Sequence, residues 1–230
     1  IKTREAKAAS LAGLKRHLAA YPSDDGALGS VRLLLGDQPS LHEARSFVED
    51  DLRKRLGRKA VTPRGPHPVR RAQQVAVLSD IVGALERADL RPFLVSGTLL
   101  GYVRSGELME HDYDIDLGIL PGAVDQSQVV RALSDLADYS IDAQGLKVVA
   151  NHASGFGADV FLHYERDGLL WHGTDIHEWW NTPFGLNQGS LHGVDVWVPD
   201  DAELYLNENY GTWQRPVAFY NFSFDTPNRQ

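Results

Sequence analysis

Two short signals in close succession constrain this chain more than anything else in it. Phe93-Leu94-Val95 reads as a strand and runs directly into Ser96-Gly97-Thr98, after which Leu99 to Arg104 reads as a short helix. Tyr113 to Leu120 then alternates as a second strand, with Asp114 and Asp116 on one face and Ile115 turned to the core behind them. A strand that opens into a helix through Gly-Thr, beside a strand carrying acids at alternate positions, belongs to a sheet with helices packed against it.

The rest of the chain supplies the other parts. Arg70 to Ala88 has a broad apolar face and predicts a long helix, and Val124 to Leu136 predicts another. Gly145 to Ala150, Ala158 to Glu165, Leu169 to Trp171 and Val194 to Val198 read as strands, and Ala202 to Glu208 as a helix after Pro199-Asp200-Asp201. The expected class is α+β: a mixed β-sheet flanked by helices. Residues 1–62 carry helical periodicity, with Leu11, Leu14 and Leu18 on one face and a capping-box pattern at Ser40 and Glu43. They predict a small N-terminal helical subdomain resembling helical-hairpin repeats. VTPRGPHPV, residues 61–69, is the expected linker into a catalytic domain over 63–230.

At 230 residues the chain can bury a sizeable core. Its formal charge of −8 argues against a nucleic-acid-binding surface, which requires broad positive potential. The absence of cysteine excludes disulfides, thiolate nucleophiles and cysteine-ligated zinc. No apolar run is long enough for a transmembrane helix. The expectation is a cytoplasmic protein, or one peripheral at the membrane, belonging to a longer multidomain chain or a complex.

Adjacent carboxylates such as Asp114 and Asp116 repel each other, and a hard divalent cation relieves that conflict. Mg²⁺, or Mn²⁺, takes one or two protein carboxylates and completes its shell with water and phosphate oxygens. Gly97 lets a phosphate approach the backbone at a helix N-terminus, Thr98 adds a hydroxyl, and Arg104 offers a bidentate contact about two turns on. An isolated Asp-x-Asp is a weak signal; its order and spacing after Gly-Thr carry the weight.

SGTLLGYVRSGELMEHDYDIDLG, residues 96–118, resembles the core motif of the LicD/fukutin family within the nucleotidyltransferase-fold superfamily. The tail is similar too, in Val198-Pro199-Asp200-Asp201, Asn209-Tyr210-Gly211-Thr212-Trp213 and the stretch to Pro227-Asn228, which is closest to the fukutin branch. The resemblance covers roughly 70–230. It implies a nucleotidyltransferase-like fold, a metal pair at Asp114 and Asp116, and Gly97 and Thr98 on the donor phosphates. It also implies a third acid at Asp159, as metal ligand or as proton acceptor. His111 stands where the family has Trp and Tyr113 where many members have Asp, which leaves the part of Asp112 open. The implied activity is phosphotransfer of a polyol phosphate from a CDP-linked donor to a glycan acceptor in cell-surface polysaccharide synthesis. The alternatives are attachment of a nucleoside monophosphate, or a non-catalytic glycan- or partner-binding module.

Other candidates stay open. Tyr102 offers its ring either to a base or to the core. His172, Asp175 and His177 lie close together in WHGTDIHEWW, as a zinc site, as a substrate-binding loop with Trp179-Trp180 offering faces to sugars, or as core.

Overall fold

A computed structural model describes residues 69, 71–110, 112–122, 124–174, 178–215 and 226–228. All lie in one compact unit formed by Arg64–Val217 and Thr226–Gln230. The expected helices of residues 1–62 lie outside the described residues, as do His111, Asp175 and His177.

Helix α1 (Arg71–Arg87) leads into β1 (Pro92–Leu94), α2 (Ser96–Ser105) and β2 (Asp114–Ile119). Next come α3 (Gln126–Leu133) and the hairpin β3 (Tyr139–Gln144) and β4 (Lys147–His152), which returns to β5 (Gly157–Leu162). Three short strands, β6 (Tyr164–Arg166), β7 (Leu169–Gly173) and β8 (Glu178–Asn181), form a second, antiparallel sheet. The hairpin β9 (Leu186–Leu191) and β10 (Val194–Pro199) precedes helix α4 (Ala202–Tyr210).

The main sheet has seven strands in the order β3-β4-β5-β2-β1-β10-β9. It is mixed: β2 runs parallel to β5 and β1 parallel to β10, and the other pairs are antiparallel. The α+β class with helices against a mixed sheet is therefore as expected. Alternation decides the faces. Ile115, Leu117, Val148, Ala150, Ala158 and Val160 are fully buried on the side toward α1 and α3. The opposite face carries the acids.

Each helix ends for a local reason. Asp125 accepts from the Gln128 amide at 2.9 Å while Gln128 reaches back to the Asp125 amide, a complete capping box for α3. Asp201 accepts from the Leu204 amide at 2.9 Å and caps α4. Asn228 donates to the Trp180 carbonyl and to Asn209, so the Asn209 and Asn228 positions of the tail join α4 to the edge of β8.

Four features of the strands depart from the expectations. β3 and β9 are the two sheet edges; YSIDAQ alternates apolar and polar residues but buries none of them fully, and LNQGSL lacks the apolar alternation of half-buried strands. β8 holds Trp179 and Trp180 in a regular strand rather than a loop. The expected strand Ala158–Glu165 is two strands separated at His163, whose amide donates to Ile119 as the chain leaves the main sheet.

Candidate active site

The acids converge through sheet register. Asp116 on β2 lies directly opposite Asp159 on β5, and Asp114 lies opposite Gly157. Carboxylate oxygens of Asp114, Asp116 and Asp159 all fall within 4.8 Å of one another. Directly paired residues share a face, so the row continues outward through Val149 to Asp142.

The turn from β1 into α2 brings backbone to these acids. Ser96 takes a left-handed φ of 46°, uncommon for a residue with a side chain, and swings the first turn of α2 toward β2. The Gly97 amide donates to Asp116 Oδ2 at 3.0 Å. Thr98 Oγ1 accepts from the Asp116 amide at 2.8 Å, and the Val95 amide donates to the Asp116 carbonyl. Asp116 is thereby held by three contacts from one short segment. A Cβ on Gly97 would lie 2.6 Å from Asp112 Oδ2 and 3.2 Å from Asp116 Oδ2, so only glycine leaves these two acids where they stand. The same distances bring Asp112 into the site.

The electrostatics match this crowding. Burial, then the charges of Asp114, Asp112 and Asp159, hold the Asp116 carboxyl well above the usual carboxylate range, against the stabilising Gly97 amide. The oxygen-only donor set and the crowded negative charge fit a hard divalent ion.

Lys147, which the sequence offers no reason to single out, also reaches the site. It stands on the acid-bearing face of β4, its ammonium bonds Asp159 Oδ2, and it lies 5.5 Å from the centre of the Phe161 ring. The pairing depends on strand register, which local spacing does not reveal.

The remaining candidates are placed as follows. Gly97 joins the acids, and Thr98 does so through the backbone, its side chain buried between helix and strand. Arg104 donates through Nε and Nη2 to the Trp213 carbonyl, tying α2 to the segment after α4 rather than pointing to the acids. Burial lowers its pKa from the ordinary arginine value. Tyr102 packs its hydroxyl against Gly189 on β9, where a Cβ would come within 2.5 Å of it. His172 is buried in a stack between His163 and Trp179, at 4.3 and 5.4 Å between ring centres. Trp180 stacks on Trp171 and beneath Arg166, so the flat faces of both tryptophans are engaged by the protein itself. Among the described residues, Asp114, Asp116 and Asp159 form the sole group with metal-ligand geometry, and no helix is long and apolar enough to cross a membrane.

Known proteins resemble this chain in sequence. The human ribitol 5-phosphate transferase FKRP is 30% identical over 158 residues, which make up 64% of this chain and 27% of that protein. The human ribitol-5-phosphate transferase FKTN is 27% identical over 152 residues, 60% of this chain and 33% of that protein. An uncharacterised protein, RT0683 of Rickettsia typhi, is 24% identical over 151 residues, 63% of this chain and 48% of its own length. The chain therefore spans between about a quarter and a half of these relatives. Two solved structures of the antibiotic-resistance factor ANT(2'')-Ia, the second in complex with adenylyl-2''-tobramycin, each superpose with a TM-score of 0.42. They are 16% and 15% identical, covering 56% and 63% of this chain and 66% and 82% of their own. The nucleotidyltransferase domain of the LicD/FKTN/FKRP family matches residues 89–229, a span that holds Gly97, the three acids and the α4 tail, and this chain belongs to that family.

Proposed function

We propose that this domain is a metal-dependent phosphotransferase that moves a polyol phosphate, of the ribitol or glycerol phosphate kind, from a CDP-linked donor to a glycan hydroxyl. The role we assign it is in building a cell-surface polysaccharide. One observation carries the reading: three carboxylates converge within 4.8 Å beside a glycine amide at a helix N-terminus. The names of the FKRP and FKTN relatives supply the ribitol phosphate.

Asp114 and Asp116 would hold the ion, Mg²⁺ or Mn²⁺. When bound, it neutralises charge on the donor diphosphate and on the phosphoryl group in transit. The missing side chain at Gly97 lets the diphosphate approach the first turn of α2, whose dipole favours an anion. Asp159, on the neighbouring strand, takes the proton of the acceptor hydroxyl. The acceptor oxygen bonds to the β-phosphorus, the bond between that phosphorus and the bridging oxygen breaks, and CMP leaves with the bridging oxygen.

Replacing Asp114 or Asp116 with Asn should lower transfer at saturating Mg²⁺ by roughly a hundredfold or more, with the fold retained. The measurement is release of CMP from CDP-ribitol in the presence of a glycan acceptor. Near-normal turnover in either variant overturns the metal reading. Incorporation of labelled nucleotide into product identifies nucleotidyl transfer instead.

A further inference from the structure

The acid-bearing face of the sheet has its own cation. Lys147 opens β4, one strand beyond Asp159, with Val149 as the residue directly opposite that acid. Its long side chain runs diagonally past Phe161, and its ammonium bonds Asp159 Oδ2. Both partners are largely shielded, with side-chain exposures of 21% and 12%. The Phe161 ring lies 5.5 Å from the ammonium, directly across from Lys147 in the strand pair, so the charge faces an aromatic ring as well as a carboxylate.

A site built from three clustered carboxylates has room, by ligand count, for two divalent ions: one between Asp114 and Asp116, and one between Asp116 and Asp159. The second position would place a doubly charged ion against an ammonium already bonded to one of its ligands. Two cations competing for one carboxylate at contact distance repel strongly in a shielded site. We propose that Lys147 is the chain's built-in replacement for the second ion, so the centre takes one divalent ion and keeps a fixed positive charge on Asp159. Lys147 acts through Asp159 and is a positioning residue. It holds that carboxylate aimed across the strand pair. This rests on the reading that Asp114 and Asp116 hold an ion.

The test counts ions rather than turnover. Mn²⁺ bound per chain is measured by electron paramagnetic resonance titration, with and without CDP, on the full chain. The wild type should bind one ion. Lys147→Met keeps an unbranched side chain of similar length and removes the charge. It should bind a second ion, with affinity at that position raised by roughly tenfold or more. Lys147→Gln is the companion variant, should the Met form fold poorly, and should behave alike. Lys147→Arg should return to one ion. Two ions in the wild type, or a single ion in both neutral variants at saturating Mn²⁺, overturns the proposal and leaves the metal reading standing. No ion in the wild type, with Asp116→Asn indistinguishable from it, overturns both.

Discussion

Gly97 sits where a methyl group would share space with two carboxylates, at 2.6 Å from Asp112 and 3.2 Å from Asp116. Both obstacles are the ends of side chains, so the backbone need not move to relieve them; the acids must. Gly97→Ala should therefore leave the melting temperature within a few degrees of the wild type while weakening Mn²⁺ binding by roughly tenfold. Thermal denaturation beside an ion titration separates the two effects, and equal losses in both would count against a role confined to the site. This glycine and the acids at 114 and 116 were legible in the sequence because their relation is local: adjacent segments joined by a short helix. Lys147 was not legible, because its partner lies across a hairpin and only the register of β4 against β5 joins them. Arg104 and Tyr102 illustrate the converse. The spacing of Arg104 from Gly97 predicts a phosphate contact and leaves the Tyr102 ring open between a base and the core, whereas Arg104 bonds the Trp213 carbonyl and the Tyr102 hydroxyl packs against Gly189.

At the scale of elements, α4 links the tail to the site. Tyr205, on this helix, is fully buried; burial and the nearby charge of Asp116 push its phenol far above the ordinary value. Asp201 starts the helix by accepting from the Leu204 amide. Asp201→Ala removes that acceptor and should cost about 1 kcal/mol of stability, recovered by Asp201→Ser, with ion binding unchanged. Chemical denaturation of the three proteins checks it. The acidic pair at 200 and 201 is thus explained by helix capping at its second member. Interior strands such as β2, β5 and β10 were readable from sequence because burial imposes apolar residues on them. The edges β3 and β9 were less so: β3 alternates at Tyr139, Ile141 and Ala143 over too short a run with none of them fully buried, and β9 lacks alternation.

For the whole molecule, the packing beside the main sheet carries a pH signature. His163 and His172 lie against each other, tilted by 31°, among Phe93, Phe161 and Trp179, and burial holds His163 down to about 3 and His172 well below the usual imidazole value. The unfolded chain protonates these rings near pH 6.5 and the folded chain does not, so protons favour unfolding below that point. Their contribution to stability is complete above about pH 6.5 and lost progressively toward pH 3, by up to about 1.4 kcal/mol per pH unit for each ring. Asp116 works in the opposite sense, since its raised carboxyl holds a proton more tightly in the fold. The contribution of the rings is isolated by comparing the slope of melting temperature against pH in the wild type and in His163→Phe, which should be flatter between pH 7 and 5.

Asp116 and Asp159 meet on strands that run the same way, with α3 and the β3–β4 hairpin lying between them in the chain. About forty residues of loop have to close for that meeting, and the entropy of closure is spent before any contact repays it. The assembled triad consequently depends on long-range closure. A nascent chain that has emerged only as far as β2 holds two acids of the three, and a divalent ion in the cell meets a finished coordination cage only after long-range topology is in place.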